Sequence, residues 1–129
     1  MNDSNLQKMD GLYQFLDDIK NQSNLEGIIF AHRNGELIIE NLKKEFDSKS
    51  FTSMCASVLE SAVGIGETIG EQEINKIIAE LAEKTILIFK CDNKTFLIII
   101  VNRESNASLI LETFNEIIHK VVKMYSFLI

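Results

Sequence analysis

Two runs in the second half of the chain, ILIF (86–89) and FLIIIV (96–101), carry no polar residue at any position. A strand with one wet face alternates apolar and polar side chains, so an unbroken run marks a strand buried on both faces. Neither run approaches the roughly 20 residues a helix needs to cross a bilayer. The chain must therefore supply cover for both faces of a sheet. Its periodic segments show where that cover lies.

Leu6, Met9, Leu12, Tyr13, Leu16 and Ile19 recur at three- and four-residue spacing and predict a first helix. Ser4 and Gln7 make a capping-box pattern at its start, and NQSN (21–24) closes it. A helical period returns from Ser50 to about Ile69, with Phe51, Met54, Cys55, Val58, Ala62, Ile65 and Ile69 expected on its core side. A last helix is expected from near Asn106 to Lys123, turning Ala107, Ile110, Leu111, Phe114, Ile117, Ile118, Val121 and Val122 inward. Between the first two helices, GIIFAHRNGELIIE (27–40) places two β-prone runs around Asn34-Gly35. Both residues of that dipeptide tolerate the positive φ of a type I′ hairpin turn. Ile28 and Phe30 face one way and Ile29 and Ala31 the other, so this strand too needs cover on both sides. Three further strands are expected over Ile74–Ala82, Thr85–Cys91 and Thr95–Asn102. Lys76 and Glu80 interrupt the first of these, as they would an edge strand. The order is α-β-β-α-β-β-β-α. It predicts a single α/β domain over 1–129, with a five-stranded, mostly antiparallel sheet sandwiched between helices.

Charge and cysteine usage narrow the functions. The net charge is −6, which gives no basic footprint for nucleic acid. Lysines and glutamates are interleaved, which argues against a polybasic membrane patch, and the shortness of the longest apolar run, Phe96–Val101, argues against direct membrane insertion. The opening MNDSNLQKMD is unlike a signal peptide, and the two cysteines, Cys55 and Cys91, lie in different predicted elements. Both features suit a reducing cytoplasm.

AVGIGETIG (62–70) asks whether its glycines cradle a phosphate. A dinucleotide fingerprint reads G-x-G-x-x-G and opens a helix after a strand. Here the spacing is G-x-G-x-x-x-G and the segment closes a helix, so a phosphate would meet carbonyls rather than amides. Glu67, Glu71 and Glu73 add repulsion, and the P-loop lysine and hydroxyl are absent. No cofactor is expected. The same helix offers another use for its small residues: Ser53, Ser57, Ser61 and Gly64 follow one another up one side. Such a ridge admits a second backbone closely, the alternative being a solvated face. Gly70 is placed to cap the helix.

Little else suggests chemistry. His32 and His119 are the only histidines and, with the two lone cysteines, lack metal-ligand spacing. Asp17-Asp18 is a carboxylate pair expected on an exposed helical surface, where it serves solubility rather than acid–base catalysis. No residue is assigned a catalytic role, and no enzyme is expected.

With this order in place, the chain resembles the Roadblock domain family, that of the Roadblock-type dynein light chains and of prokaryotic GTPase regulators. The resemblance runs from about Leu6 to Val122. It rests on the initial helix, the LEGIIFAHRNGELI segment (25–38), the small-residue second helix and the edge-central-central strand triplet. Longin-like and profilin-like sandwiches are near relatives. The resemblance implies a homodimer, or a pair with a related Roadblock chain, whose sheets join edge to edge through the third strand and whose second helices lie side by side. On this chain those elements carry Lys76, Ile78 and Glu80 on the strand and Ser53, Ser57, Ser61 and Gly64 on the helix. It further implies a non-enzymatic scaffold that binds, and in some members regulates, a Ras-like small GTPase. A reading of a different class is a sensory domain holding a small ligand against the sheet. That pocket would need convergent polar groups, which ILIF and FLIIIV do not provide.

Overall fold

The computed structural model describes residues 3–128, with side chains from Lys8 onward. The expected Ser4–Gln7 capping pair and Leu6 lie outside the described side chains. The elements run α1 (Asp3–Gln22), β1 (Gly27–His32), β2 (Leu37–Leu42), α2 (Ser48–Thr68), β3 (Lys76–Glu80), β4 (Thr85–Lys90), β5 (Thr95–Val101) and α3 (Ala107–Ser126). This is the order expected from the periodicities. The five strands form one sheet in the order β2-β1-β5-β4-β3, antiparallel at every junction.

The two faces carry separate cores. Ile28, Phe30, Leu87, Phe89, Leu97 and Ile99 meet Leu12, Leu16 and Ile19 of α1 and Ile110, Ile117 and Val121 of α3. Ile29, Ala31, Ile86, Ile88, Phe96, Ile98 and Ile100 meet Cys55, Ala56 and Leu59 of α2. All seven residues of β5 are buried, as the unbroken FLIIIV run requires of the middle strand. Phe89 and Phe114 stack across the first core at 5.2 Å. Asn106 caps α3 by accepting from the Leu109 amide, and Asp47 caps α2 through Ser50.

Two local expectations are corrected. Tyr13 stands exposed instead of joining the α1 stripe. The hairpin turn is not type I′, because Gly35 has φ +100° while Asn34 keeps a negative φ. The Gly35 amide donates to the His32 carbonyl and the Asn34 side chain accepts from the Glu36 amide. This is the pattern of a type I turn closed by a left-handed glycine. Packing supplies the reason for a glycine here. A Cβ on Gly35 would lie 3.2 Å from both Cα and Oγ of Ser53, so the turn rests directly on α2. Arg33 fastens the same turn, donating from Nε to Glu60 Oε1 on α2 at 2.9 Å and from a terminal nitrogen to the Asp92 carbonyl.

Candidate dimerisation surface

The face of α2 turned to the sheet is not the one its period favours. Thr52, Cys55, Ala56 and Leu59 are buried, whereas Met54 (62% exposed), Val58 (47%), Ile65 (63%) and Ile69 (71%) stand in solvent. Of the expected core stripe only Cys55 is buried; Phe51, Ala62 and the nearby Val63 are half-buried. Small side chains at Cys55 and Ala56 let the helix sit close to the β-branched strands, and the larger apolar residues are left facing outward. A row spaced four, seven and four residues apart shares one helical face. Met54, Val58, Ile65 and Ile69 therefore form a continuous apolar strip.

The small residues sit beside that strip. Ser57 and Ser61 are exposed along its side, and Ser57 Oγ donates to the Ser53 carbonyl at 3.3 Å. Ser53 is exposed and also abuts the Gly35 turn, so one close approach it permits is to the protomer's own hairpin. Gly64 has nothing within 4 Å of the position a Cβ would take. A glycine within a helix costs about 1 kcal/mol relative to alanine. Nothing among the described residues requires that sacrifice at Gly64.

The other two glycines have local reasons. A Cβ on Gly66 would collide with the Gln72 carbonyl, whose carbon lies 3.3 Å away and whose oxygen is closer still. The Gln72 amide in turn donates to the Gly66 carbonyl at 3.0 Å. Gly70, just beyond the C-cap Ile69, adopts φ +115°, and Glu71 follows at +57°. Two left-handed residues in succession turn the chain sharply back along the helix and send it towards β3. The glycines thus end α2. The groove beside them, about 430 Å³, is lined by Glu67, Glu71 and Glu73 along with Val63, Gln72, Ile74 and Lys90. Three carboxylates around a helix C-terminus repel phosphate.

Strand β3 is an edge, paired among the described residues with β4 alone. It is shorter than expected, five residues, and Ile77 and Ala79 pack into the α2-side core. Lys76, Ile78 and Glu80 therefore face the α3 side of the sheet. Lys76 Nζ lies 5.1 Å from the centre of the Phe114 ring, Ile78 is 46% exposed and Glu80 is exposed. The Leu81 amide donates to the Lys84 carbonyl at 2.8 Å. Backbone groups alternate in direction along a strand, so those of Leu81, Ala79 and Ile77 point to β4 and those of Lys76, Ile78 and Glu80 point outward. Leu81, just past the strand's end, is also exposed.

No protein-family model matches the sequence, and no curated protein matches it. Solved structures do. MglB of Myxococcus xanthus superimposes with a TM-score of 0.82 at 18% identity, covering 90% of this chain and 95% of that one. An MglB with a tetrameric arrangement gives 0.86 at 7% identity over 95% and 93%. The Roadblock/LC7 domain from Streptomyces avermitilis gives 0.79 at 9% identity over 88% and 97%. The fold is that of the Roadblock family.

On this Roadblock fold no side chain among the described residues has an obvious catalytic setting. Burial pushes the Cys55 thiol up to about 11, and burial, with the neighbouring Asp92 carboxylate, pushes Cys91 up to about 12. Both are protonated at neutral pH and are poor nucleophiles. Among the described residues no group of histidine, cysteine and carboxylate side chains is arranged to hold a metal, and no helix is long and apolar enough to cross a membrane. The carboxyl of Glu26 is held below its usual range, first by the hydrogen bond from Asn102 at 2.7 Å and also by Lys84 at 3.4 Å. That cluster ties the strand ends together.

Proposed function

We propose that this protein is a cytoplasmic, non-enzymatic platform that dimerises through α2 and the free edge of β3 and, as a dimer, binds and regulates a Ras-like small GTPase. The observation that carries the reading is the apolar strip Met54, Val58, Ile65 and Ile69, standing in solvent on a helix whose Gly64 packs against nothing among the described residues. Apolar side chains scattered singly over a surface need no explanation, but a continuous strip marks a contact. The solved MglB with a tetrameric arrangement is in keeping with self-association, and the GTPase partner rests on the resemblance to Roadblock regulators. Sheets that join at β3 would set two α2 helices side by side, with Ser57, Ser61 and Gly64 where the backbones approach.

Light scattering tests the dimer. The parent is expected as a dimer, and Ser57→Arg, which places a long charged chain in the strip, is expected to shift it towards monomer with the circular dichroism unchanged. A parent that stays monomeric at high micromolar concentration, or a variant as dimeric as the parent, overturns the surface. Purified chain alone is expected to hydrolyse no GTP, since it lacks the P-loop lysine and magnesium-binding hydroxyl. Binding to a panel of GDP- and GTP-loaded Ras-like GTPases should be seen for the parent and lost with Ser57→Arg. Turnover by the chain alone, or binding to no member of the panel in either state, contradicts the regulatory reading.

A further inference from the structure

The edge of β3 reads K-I-I-A-E, and its charge is antisymmetric about Ile78. Lys76, Ile78 and Glu80 also hold the outward-pointing backbone groups, because Leu81, Ala79 and Ile77 direct theirs to β4. We propose that β3 selects a second copy of this chain as its partner, in one register: antiparallel, with Ile78 on the two-fold axis and Lys76 opposite Glu80 of the second copy. This rests on the dimer reading above and specifies its partner and alignment.

Both parities agree with that alignment. In an antiparallel ladder the residues that exchange both backbone hydrogen bonds lie directly opposite one another. Ile78 would do so with its own copy, and Lys76 would do so with Glu80 at both ends. Their side chains share one face of the joined sheet, where directly opposed pairs interact most strongly. The neighbouring symmetric registers with the same backbone parity are poorer. Centring on Ile77 or Ala79 sets Lys76 or Glu80 against an apolar residue. Centring on Lys76 or Glu80 sets like charges together, which is destabilising. Each chain carries a net charge of −6, so two copies repel overall and a local match at the edge has that repulsion to offset. A partner with a different edge sequence lacks the reciprocal match. Lys76 and Glu80 thereby determine specificity for self over non-self.

Charge reversal tests this on the intact chain. Lys76→Glu and Glu80→Lys each place like charges opposite one another at both ends of the ladder, and each is expected to weaken self-association about tenfold at low salt. Mixing the two variants brings position 76 of each chain against an opposite charge at position 80 of the other. The mixture is expected to recover parental affinity as a mixed dimer, which also shows that both variants are folded. The doubly reversed K76E/E80K chain should likewise self-associate as the parent does. Single variants as tight as the parent, or weakened variants whose mixture stays weak, overturn the register while leaving the dimer standing. A monomeric parent overturns the dimer reading itself and this inference with it.

Discussion

Alanine substitution at Gly64 and at Gly66 should move stability in opposite directions, although the two residues lie two apart in the same helix. Both exchanges gain about 1 kcal/mol from the loss of glycine's backbone freedom within a helix. At Gly64 nothing opposes that gain, since a Cβ there meets no atom within 4 Å. At Gly66 the new methyl would overlap the Gln72 carbonyl, which belongs to backbone turned back by Gly70 and Glu71 and tied to Gly66 by a 3.0 Å hydrogen bond. Moving that backbone costs about 1–3 kcal/mol, and a lost hydrogen bond about 1 kcal/mol more. The net expectation is stabilisation of about 1 kcal/mol for Gly64→Ala and destabilisation of about 1–3 kcal/mol for Gly66→Ala. For a domain of this size 1 kcal/mol corresponds to roughly 3–5 °C in Tm. Urea unfolding followed by circular dichroism, in a Ser57→Arg background at fixed protein concentration, separates the fold from any contribution of assembly. Equal stability of the two variants would refute the close return of the chain at Gln72.

Thr52, on the buried side of α2, is fully buried and its Oγ1 finds no hydrogen-bond partner among the described residues. Thr52→Val keeps the shape and removes the unpaired hydroxyl, and should raise stability by about 1 kcal/mol in the same unfolding assay; a clear loss would show that the hydroxyl is paired. The two thiols, raised to about 11 and about 12, should react with a disulfide reagent far more slowly in the folded chain than in urea at pH 8. Their unfolded pKa is about 8.5, so the stability they contribute is complete below that pH and is lost as pH rises towards 11–12. The Cys55→Ala/Cys91→Ala chain should lose less stability over that range, and an identical alkaline profile would contradict the assignment.

The element order was legible because its signals are redundant. ILIF and FLIIIV admit no wet face, and Lys76 and Glu80 mark β3 as an edge. The rotation of α2 was not legible. Its apolar residues occupy more than half of the helical circumference, from Phe51 and Met54 round to Leu59 and Val63. Periodicity therefore selects the larger side chains, and here those belong to a second surface. The signal that points correctly is size: Cys55 and Ala56 flank Leu59 where a helix must approach strands already crowded with isoleucine. The serines and Gly64 were expected to form a small-residue ridge for close helix approach, the alternative being a solvated face. The structure sets Ser57 and Ser61 in solvent next to an apolar strip that periodicity assigns to the core, and brings Ser53, itself exposed, against the Gly35 turn. The change of turn type at Asn34 was likewise hidden, because it depends on α2 lying against the hairpin.

Amide exchange at the free edge of β3 tests the central claim most directly. The N–H groups of Lys76, Ile78 and Glu80 point away from β4, so in a lone chain they have no strand partner and exchange as quickly as loop amides. If two copies join at this edge, these amides should be strongly protected at high micromolar concentration. The protection should disappear on dilution below the dissociation constant and in the Ser57→Arg variant. Fast exchange at these positions at every concentration, in a sample that light scattering shows to be dimeric, would place the dimer contact elsewhere and contradict the account.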